Sequence, residues 1–302
     1  MRTALQRHGA RVAVATLALA AALGGTTTAD ATPRDGHDGG RSPHPVEVAI
    51  GDSGIQAPHV ARAGVVAFRV TTDDKDGHDL QAFRPRHGVT LKKVFADLTM
   101  AVNENNPTVS AKGIKAVNRD SELFGGAQVT PKVPGTFTTP ISAGPVYLLD
   151  FTKFFGDPAH PVYRKVELRG GRSGDLADFP DGIVITKETS AGPRFDVNGV
   201  HRAKDNILVH NAADEIHEMQ LQPVAPGTTD AQLDAVFNGT ATGAPPFTGP
   251  AVGLGAISPG RTALLQEHHL PPGTYALLCF IPDDKTGIPH AFEGMHKVVV
   301  LS

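Results

Sequence analysis

Among its 302 residues the chain has no tryptophan, one cysteine and only 6% aromatic side chains. A single thiol excludes an internal disulfide framework. An excess of basic charge is also missing: 28 Lys and Arg stand against 31 Asp and Glu, a formal charge of −3 at pH 7. Without a positive field to hold phosphates, nucleic acid is excluded as a class of partner. The chain also lacks an apolar run of the ~20 residues that a spanning helix needs, so no membrane span is expected. No glycine-rich phosphate loop, no Ser-His-Asp arrangement and no carboxylate pair in a catalytic setting is recognisable. Glycine (33) and proline (24) are abundant instead. Such a chain is rich in turns and is not expected to form a helical bundle.

The first 31 residues read as an export signal. Arg2, Arg7 and Arg11 form a basic head, Val12 to Leu23 is an apolar run of 12 residues, and Ala29-Asp30-Ala31 is a small-x-small cleavage site. Arg7 is followed by His8, which excludes a twin-arginine signal, and the absence of Cys at the cleavage point excludes a lipid anchor there. The expectation is an extracellular protein, cleaved after Ala31 and more acidic once the basic leader is gone. Residues 32–45, with His37 and His44 among Gly, Pro and Asp, lack apolar periodicity and read as a flexible tether.

Beyond the tether the same landmarks occur twice in the same order, as in a duplicated domain. In the first copy the alternating run Val65 to Val70 leads through a polar turn to Gly77-His78-Asp79-Leu80. In the second, Asn206 to His210 leads through Asn211-Ala212-Ala213-Asp214 to Ile216-His217-Glu218-Met219. Each reads as strand, turn, and a histidine opening the next strand. Leu91, Val94, Phe95 and Leu98 in one copy, and Leu233, Val236 and Phe237 in the other, have the spacing of one helix face, with Thr229 and Gln232 placed as a capping box. Strands ending at Asp150-Phe151 and at Cys279-Phe280 follow, so Asp150 stands where Cys279 stands. The predicted fold is all-β: two tandem Greek-key β-sandwiches at 46–169 and 182–302, each with one short helix, joined by a glycine-rich linker at 170–181. Residues 102–119, with Asn-Glu-Asn-Asn-Pro, read as a surface loop inserted in the first copy.

The chemistry concentrates in the second copy. Cys279, His290 and Met295 lie on one stretch before the last strand, and His217, 62 residues upstream of Cys279, opens a neighbouring strand. A thiolate, two imidazoles and a thioether form the soft donor set that favours copper. His210, seven residues before His217, is a rival for the first imidazole. With the ligands in the order His217, Cys279, His290 and Met295, and with Gly294 before Met295, the segment resembles the cupredoxins, the type-1 blue copper proteins. Asn211, six residues before His217, also resembles the approach to that family's first ligand. The resemblance covers 182–302 in order and motif, and 46–169 as a degenerate copy. It departs from the small plastocyanin-like members in the ten residues between Cys279 and His290, a length nearer to the longer ligand loops of copper nitrite reductases. What it implies is a copper-binding electron carrier served by a redox protein partner. Glu218 and Asn211 are candidates to orient His217.

In the first copy His78, Asp150, His160 and Lys165 occupy the corresponding places, and the missing thiolate and added positive charge read as a lost site. In multicopper oxidases and nitrite reductases a histidine beside the cysteine ligates a second, catalytic copper. Here Leu278 and Phe280 flank Cys279, so the expectation is a carrier and not an enzyme. The competing reading is a metal-free extracellular β-sandwich that binds or supports another molecule, with Cys279 and Met295 as core residues. His296 is expected at the surface, and His268 and His269 on opposite sides of a strand.

Overall fold

The computed structural model describes residues 45–170, 179–266 and 269–302. The export signal, the tether through residue 44, residues 171–178 of the linker and His268 lie outside them. The first half contains β1 (Val46–Gly51), β2 (Gly54–Gln56), β3 (Val60–Arg62), β4 (Gly64–Thr71), β5 (His78–Pro85), α1 (Leu91–Ala101), α2 (Pro107–Asp120), β6 (Ser121–Val129), β7 (Gly135–Ile141), β8 (Gly144–Asp150), α3 (Phe151–Gly156) and β9 (Tyr163–Arg169). The second contains β10 (Gly182–Thr189), β11 (Gly192–Asn198), β12 (Ile207–Asn211), β13 (His217–Val224), α4 (Asp230–Phe237), β14 (Val252–Ile257), β15 (Thr262–Gln266), β16 (Gly273–Leu278), a 3-10 turn (His290–Glu293) and β17 (His296–Leu301). Among the described residues no helix is long and apolar enough to cross a membrane.

The strands form two sheets, ordered β11-β10-β12-β15-β7-β4-β1-β2 and β17-β16-β13-β14-β6-β5-β8-β9-β3. Read outward from the β15–β7 junction, and again from β14–β6, the two halves repeat each other strand for strand, except that β3, parallel to β9 at the edge of the first half, has no counterpart. Even the parallel pairs correspond, β1 with β4 and β10 with β12. The duplication is therefore visible in topology, and each half contributes strands to both sheets, as two tandem sandwiches do. The sheets are mixed, and both run through the junction, where β15 pairs with β7 and β14 with β6. Pairing two edges removes two exposed rows of backbone donors and acceptors. Side-chain alternation buries Val46, Val48 and Ile50 of β1 and leaves Glu47 and Ala49 outside. A single apolar core then runs from Phe68 and Phe137, stacked at 5.0 Å, to Leu221, Leu277 and Leu301.

The helices depart from expectation. In place of a loop at 102–119, α2 spans 14 residues, so the first half has three helices and not one. The start signal is present in the sequence: the Asn106 side chain accepts the amide of Val109 at 3.2 Å, and Pro107 occupies the first turn, where its missing N–H costs nothing. Gly113 lets α2 lie directly on α1, since a Cβ there would stand 2.2 Å from the Ala101 nitrogen. The α1–α2 hairpin buries Val94, Leu98, Ile114 and Val117 in a second core that also takes in Ile216, Ala256 and Ile281 from the other half.

Candidate metal centre

Two neighbouring strands bring the thiol and the first imidazole together. Asn211, fully buried at the end of β12, donates to the carbonyls of Glu215 (2.8 Å) and Ile257 (3.0 Å) and accepts the Ala213 amide (3.0 Å), which pins the turn that delivers His217 to β13. Cys279 follows β16, whose Leu278 pairs with Gln220 of β13. Next comes the ten-residue excursion, and its base is closed by a bridge between Pro282 and Pro289. Within it Asp283 Oδ1 accepts the amides of Lys285 (2.8 Å) and Thr286 (2.6 Å). The chain returns with the His290 amide donating to the Ile281 carbonyl (3.0 Å) and the Ala291 amide to the Cys279 carbonyl (2.7 Å). The loop is long because it projects outward, while its two ends stay paired.

As a result His217 Nδ1 lies 3.7 Å and His290 Nδ1 3.5 Å from Cys279 Sγ, with all three side chains fully buried. Ligand atoms of the three lie within 4.8 Å of one another. Nitrogen and sulfur ligands held at about 2.0 and 2.3 Å from one ion stand roughly 3.7 Å apart at a trigonal angle, so the spacing fits a shared metal. Met295 is fully buried in the same core as Cys279, and its amide donates to the His290 carbonyl at 2.9 Å.

The electrostatics of the cluster are dominated by burial. Burial pushes the Cys279 thiol well above its ordinary range, with the charge of Glu218 adding to the effect. Burial likewise drives His217 down to about 3, helped by His290 and opposed by Glu215. Both shifts favour the neutral forms, an uncharged imidazole beside an un-ionised thiol.

No family model matches the chain, and no curated protein matches it. Among solved structures the chain is similar to dithionite-reduced auracyanin from the photosynthetic bacterium Roseiflexus castenholzii, at 15% identity over 40% of this chain and 94% of that one, with a TM-score of 0.25. Reduced rusticyanin matches at 19% identity over 40% of this chain and 78% of that one (TM-score 0.24). A multicopper oxidase matches at 13% over 86% and 88% (TM-score 0.22). The cluster of His217, Cys279 and His290 resembles a type-1 copper site. The cupredoxin likeness thus stands on this type-1-like arrangement together with the duplicated β topology.

Other histidines fall elsewhere. His210, the rival ligand, sits in the opposite sheet with Nδ1 2.9 Å from Thr262 Oγ1. His296 is buried and not exposed: it stacks on Phe237 (5.4 Å between ring centroids), and its Nε2 meets Asp234 at 3.1 Å, because α4 covers this face of β17. His269 lies beyond the end of β15, with φ 31°. In the first half the His78 ring lies between Asp74 (3.2 Å) and Asp150 (3.2 Å), while His160 is at the surface against Asp157 and Lys165 pairs with Glu167.

The two residues proposed to orient His217 act differently. Asn211 holds the turn, and Glu218 points away from the imidazole to accept the Phe280 amide at 2.9 Å and the Gln220 side chain at 3.0 Å. The carboxylates facing the outer ring nitrogens are Glu215, 3.4 Å from His290 Nε2, and Glu188, 3.9 Å from His217 Nε2. Sequence reasoning passed over both. Glu215 lies two residues before His217, but in the bend that precedes β13, where alternation gives no direction. Glu188 is brought in by a different sheet, with no local signal.

Proposed function

We propose that the protein is an exported electron carrier that binds one copper ion through His217, Cys279 and His290, with Met295 as the weak axial ligand. The observation that supports it is the convergence of two buried imidazole Nδ1 atoms on one buried thiol at the spacing a common ion requires. Copper, when bound, supplies a one-electron couple, and Cys279 supplies the covalency that makes it fast. The chain supplies rigidity. The His217 turn is pinned by Asn211, the return of the loop is hydrogen-bonded to β16, and the surrounding core excludes water. Ligands so held keep their spacing whichever charge the ion carries.

A carrier is favoured over an oxidase by the flanks of Cys279. Leu278 is buried with Leu233 and Phe237 under α4, and Phe280 packs on the same cluster, so neither offers a ligand to a second ion. The partner is then a redox protein that exchanges single electrons.

The test is the addition of Cu(II) to the purified protein. One equivalent should bind per chain with an intense visible thiolate-to-copper band, and Cys279→Ser should abolish it. A wild-type chain that stays colourless and takes up no copper would leave the metal-free β-sandwich reading in its place. Export is tested separately, by finding whether the protein isolated from outside the cell begins at Thr32.

A further inference from the structure

Glu215 is 5% exposed and lies between the ligand loop and the first half of the chain. Its Oε2 accepts the Asp284 amide at 2.8 Å and stands 3.4 Å from His290 Nε2, while Oε1 accepts Lys285 Nζ at 3.0 Å. Apart from this carboxylate, buried His290 Nε2 has no polar partner among the described residues, and the 3.4 Å approach lies off the line of a good hydrogen bond. Both carboxylate oxygens are thus engaged by the loop, and the turn that carries Glu215 is pinned as well. Its own carbonyl is held by Asn211, the neighbouring Asp214 carbonyl accepts Asn118 of α2 at 3.0 Å, and Asp284 faces Lys115 of α2 at 3.8 Å.

A buried ring nitrogen bearing hydrogen needs an acceptor, and Glu215 is the group in place to accept. Proton on Nε2 leaves the lone pair on Nδ1, the atom turned toward Cys279. We propose that Glu215 is a positioning residue for the metal centre: it accepts a hydrogen bond from the Nε2–H of His290, so that Nδ1 is presented to the metal, and it places one buried negative charge behind the ligand. The proposal rests on the copper reading above. It makes the two outer edges of the centre unequal, because Glu188 is farther from His217 and its side chain is 40% exposed.

A charge that stays on Glu215 favours the oxidised ion and lowers the potential, whereas the hydrogen bond sets the ring's tautomer and tilt. Two substitutions separate these effects. Glu215→Gln keeps an acceptor and removes the charge. Glu215→Ala removes both.

The experiment uses the full chain. Nitrogen-15 NMR of the metal-free protein should show His290 protonated at Nε2 in the wild type and in Glu215→Gln, with the preference lost in Glu215→Ala. After loading with Cu(II), Glu215→Gln should keep the electron-spin resonance line shape and raise the reduction potential, and Glu215→Ala should bind copper about 10- to 100-fold more weakly. Lys285→Met, which removes a contact to Glu215 but not to the ring, should leave the tautomer unchanged. A wild-type His290 protonated at Nδ1, or a Glu215→Ala chain with unaltered tautomer, line shape and affinity, overturns the proposal. If instead the wild type takes up no copper, the copper reading fails, and the tautomer of the metal-free chain still decides what Glu215 does. Asp283 also lies near, its carboxylate within 4.8 Å of the Glu215 and His290 ligand atoms. A second metal equivalent lost in Glu215→Gln would assign Glu215 to a cation site of its own and also overturn the positioning role.

Discussion

The two halves place the same backbone around opposite chemistry. Gln81 pairs with Leu149 as Gln220 pairs with Leu278, so Asp150 and Cys279 occupy equivalent positions, and so do His78 and His217. In both halves the histidine Nδ1 faces the side chain on the neighbouring strand, at 3.3 Å from Asp150 Oδ1 and 3.7 Å from Cys279 Sγ. The paths part at the next residue. Asp150 caps α3, accepting the Lys153 amide at 3.0 Å, and Asp74 takes the other His78 nitrogen. Both ring nitrogens of His78 thus meet carboxylates of the protein, and among the described residues His160 and Lys165 stay at the surface. After Cys279 the chain makes its outward loop and returns with His290 and Met295. The place equivalent to the thiol is therefore filled by His78 set between the carboxylates of Asp74 and Asp150.

The first half has gained helices where it has no such ligand loop. Its α1–α2 hairpin packs Ile114 and Val117 against Ile216 and Ile281, which lie next to His217 and just beyond Cys279, and Pro107 comes close to Gly287 in the loop between Cys279 and His290. The degenerate copy is a wall of the other copy's centre.

The sharpest way to break this comparison is to exchange the two residues. Cys279→Asp should lose copper and its visible band altogether. Asp150→Cys should gain no comparable band, since His160 and Lys165 are turned to solvent. A blue Asp150→Cys chain would show that the first half still holds a complete ligand set.

Next in size are changes at the wall. Ile114→Ala removes buried contacts and should cost about 2 to 4 kcal/mol of stability by denaturant unfolding, with faster copper loss than in the parent. Gly287→Ala puts a Cβ 1.8 Å from the Pro107 carbonyl oxygen at φ 68°, which should cost about 2 to 3 kcal/mol and broaden the copper resonance lines. Normal copper behaviour in both would reduce the hairpin to a stability element.

A smaller effect is expected at Met295. Met295→Leu should keep the colour and raise the potential, because a weak axial ligand is lost while the trigonal set stays intact. Loss of the band would make Met295 a principal ligand.

The smallest effect lies between the halves. Asp79 and Glu218, at equivalent positions, are both raised by burial, Asp79 to about 6 with help from Asp150, and Glu218 to about 7. A carboxyl with a raised folded pKa costs stability as pH climbs from its unfolded value of 3.8 through about 6. Asp79→Asn should match the parent below about pH 4 and exceed it by about 1 kcal/mol above pH 6, a figure reduced for its half-buried place. Parallel stability curves across that range would mean that Asp79 is solvated in the folded chain.

Part of this was legible in the linear chain. Strand alternation and the capping box at Thr229 and Gln232 are short-range patterns that the fold keeps, and the equivalence of Asp150 with Cys279, legible in the order of the repeat, is matched by strand register. The helix α2 was legible too, in Asn106-Pro107, but a polar composition hid an apolar face formed by only Ile114 and Val117 with small neighbours. What the tertiary structure alone decided were the contacts between distant segments: the merging of both sheets across the halves, Glu215 and Glu188 at the outer ring nitrogens, the hairpin against the loop between Cys279 and His290, and the carboxylates on either side of His78. Periodicity records which side of a strand a residue faces. It does not record which other element arrives on that side, and for a buried charge that arrival determines whether it is neutralised by a neighbour or remains a ligand.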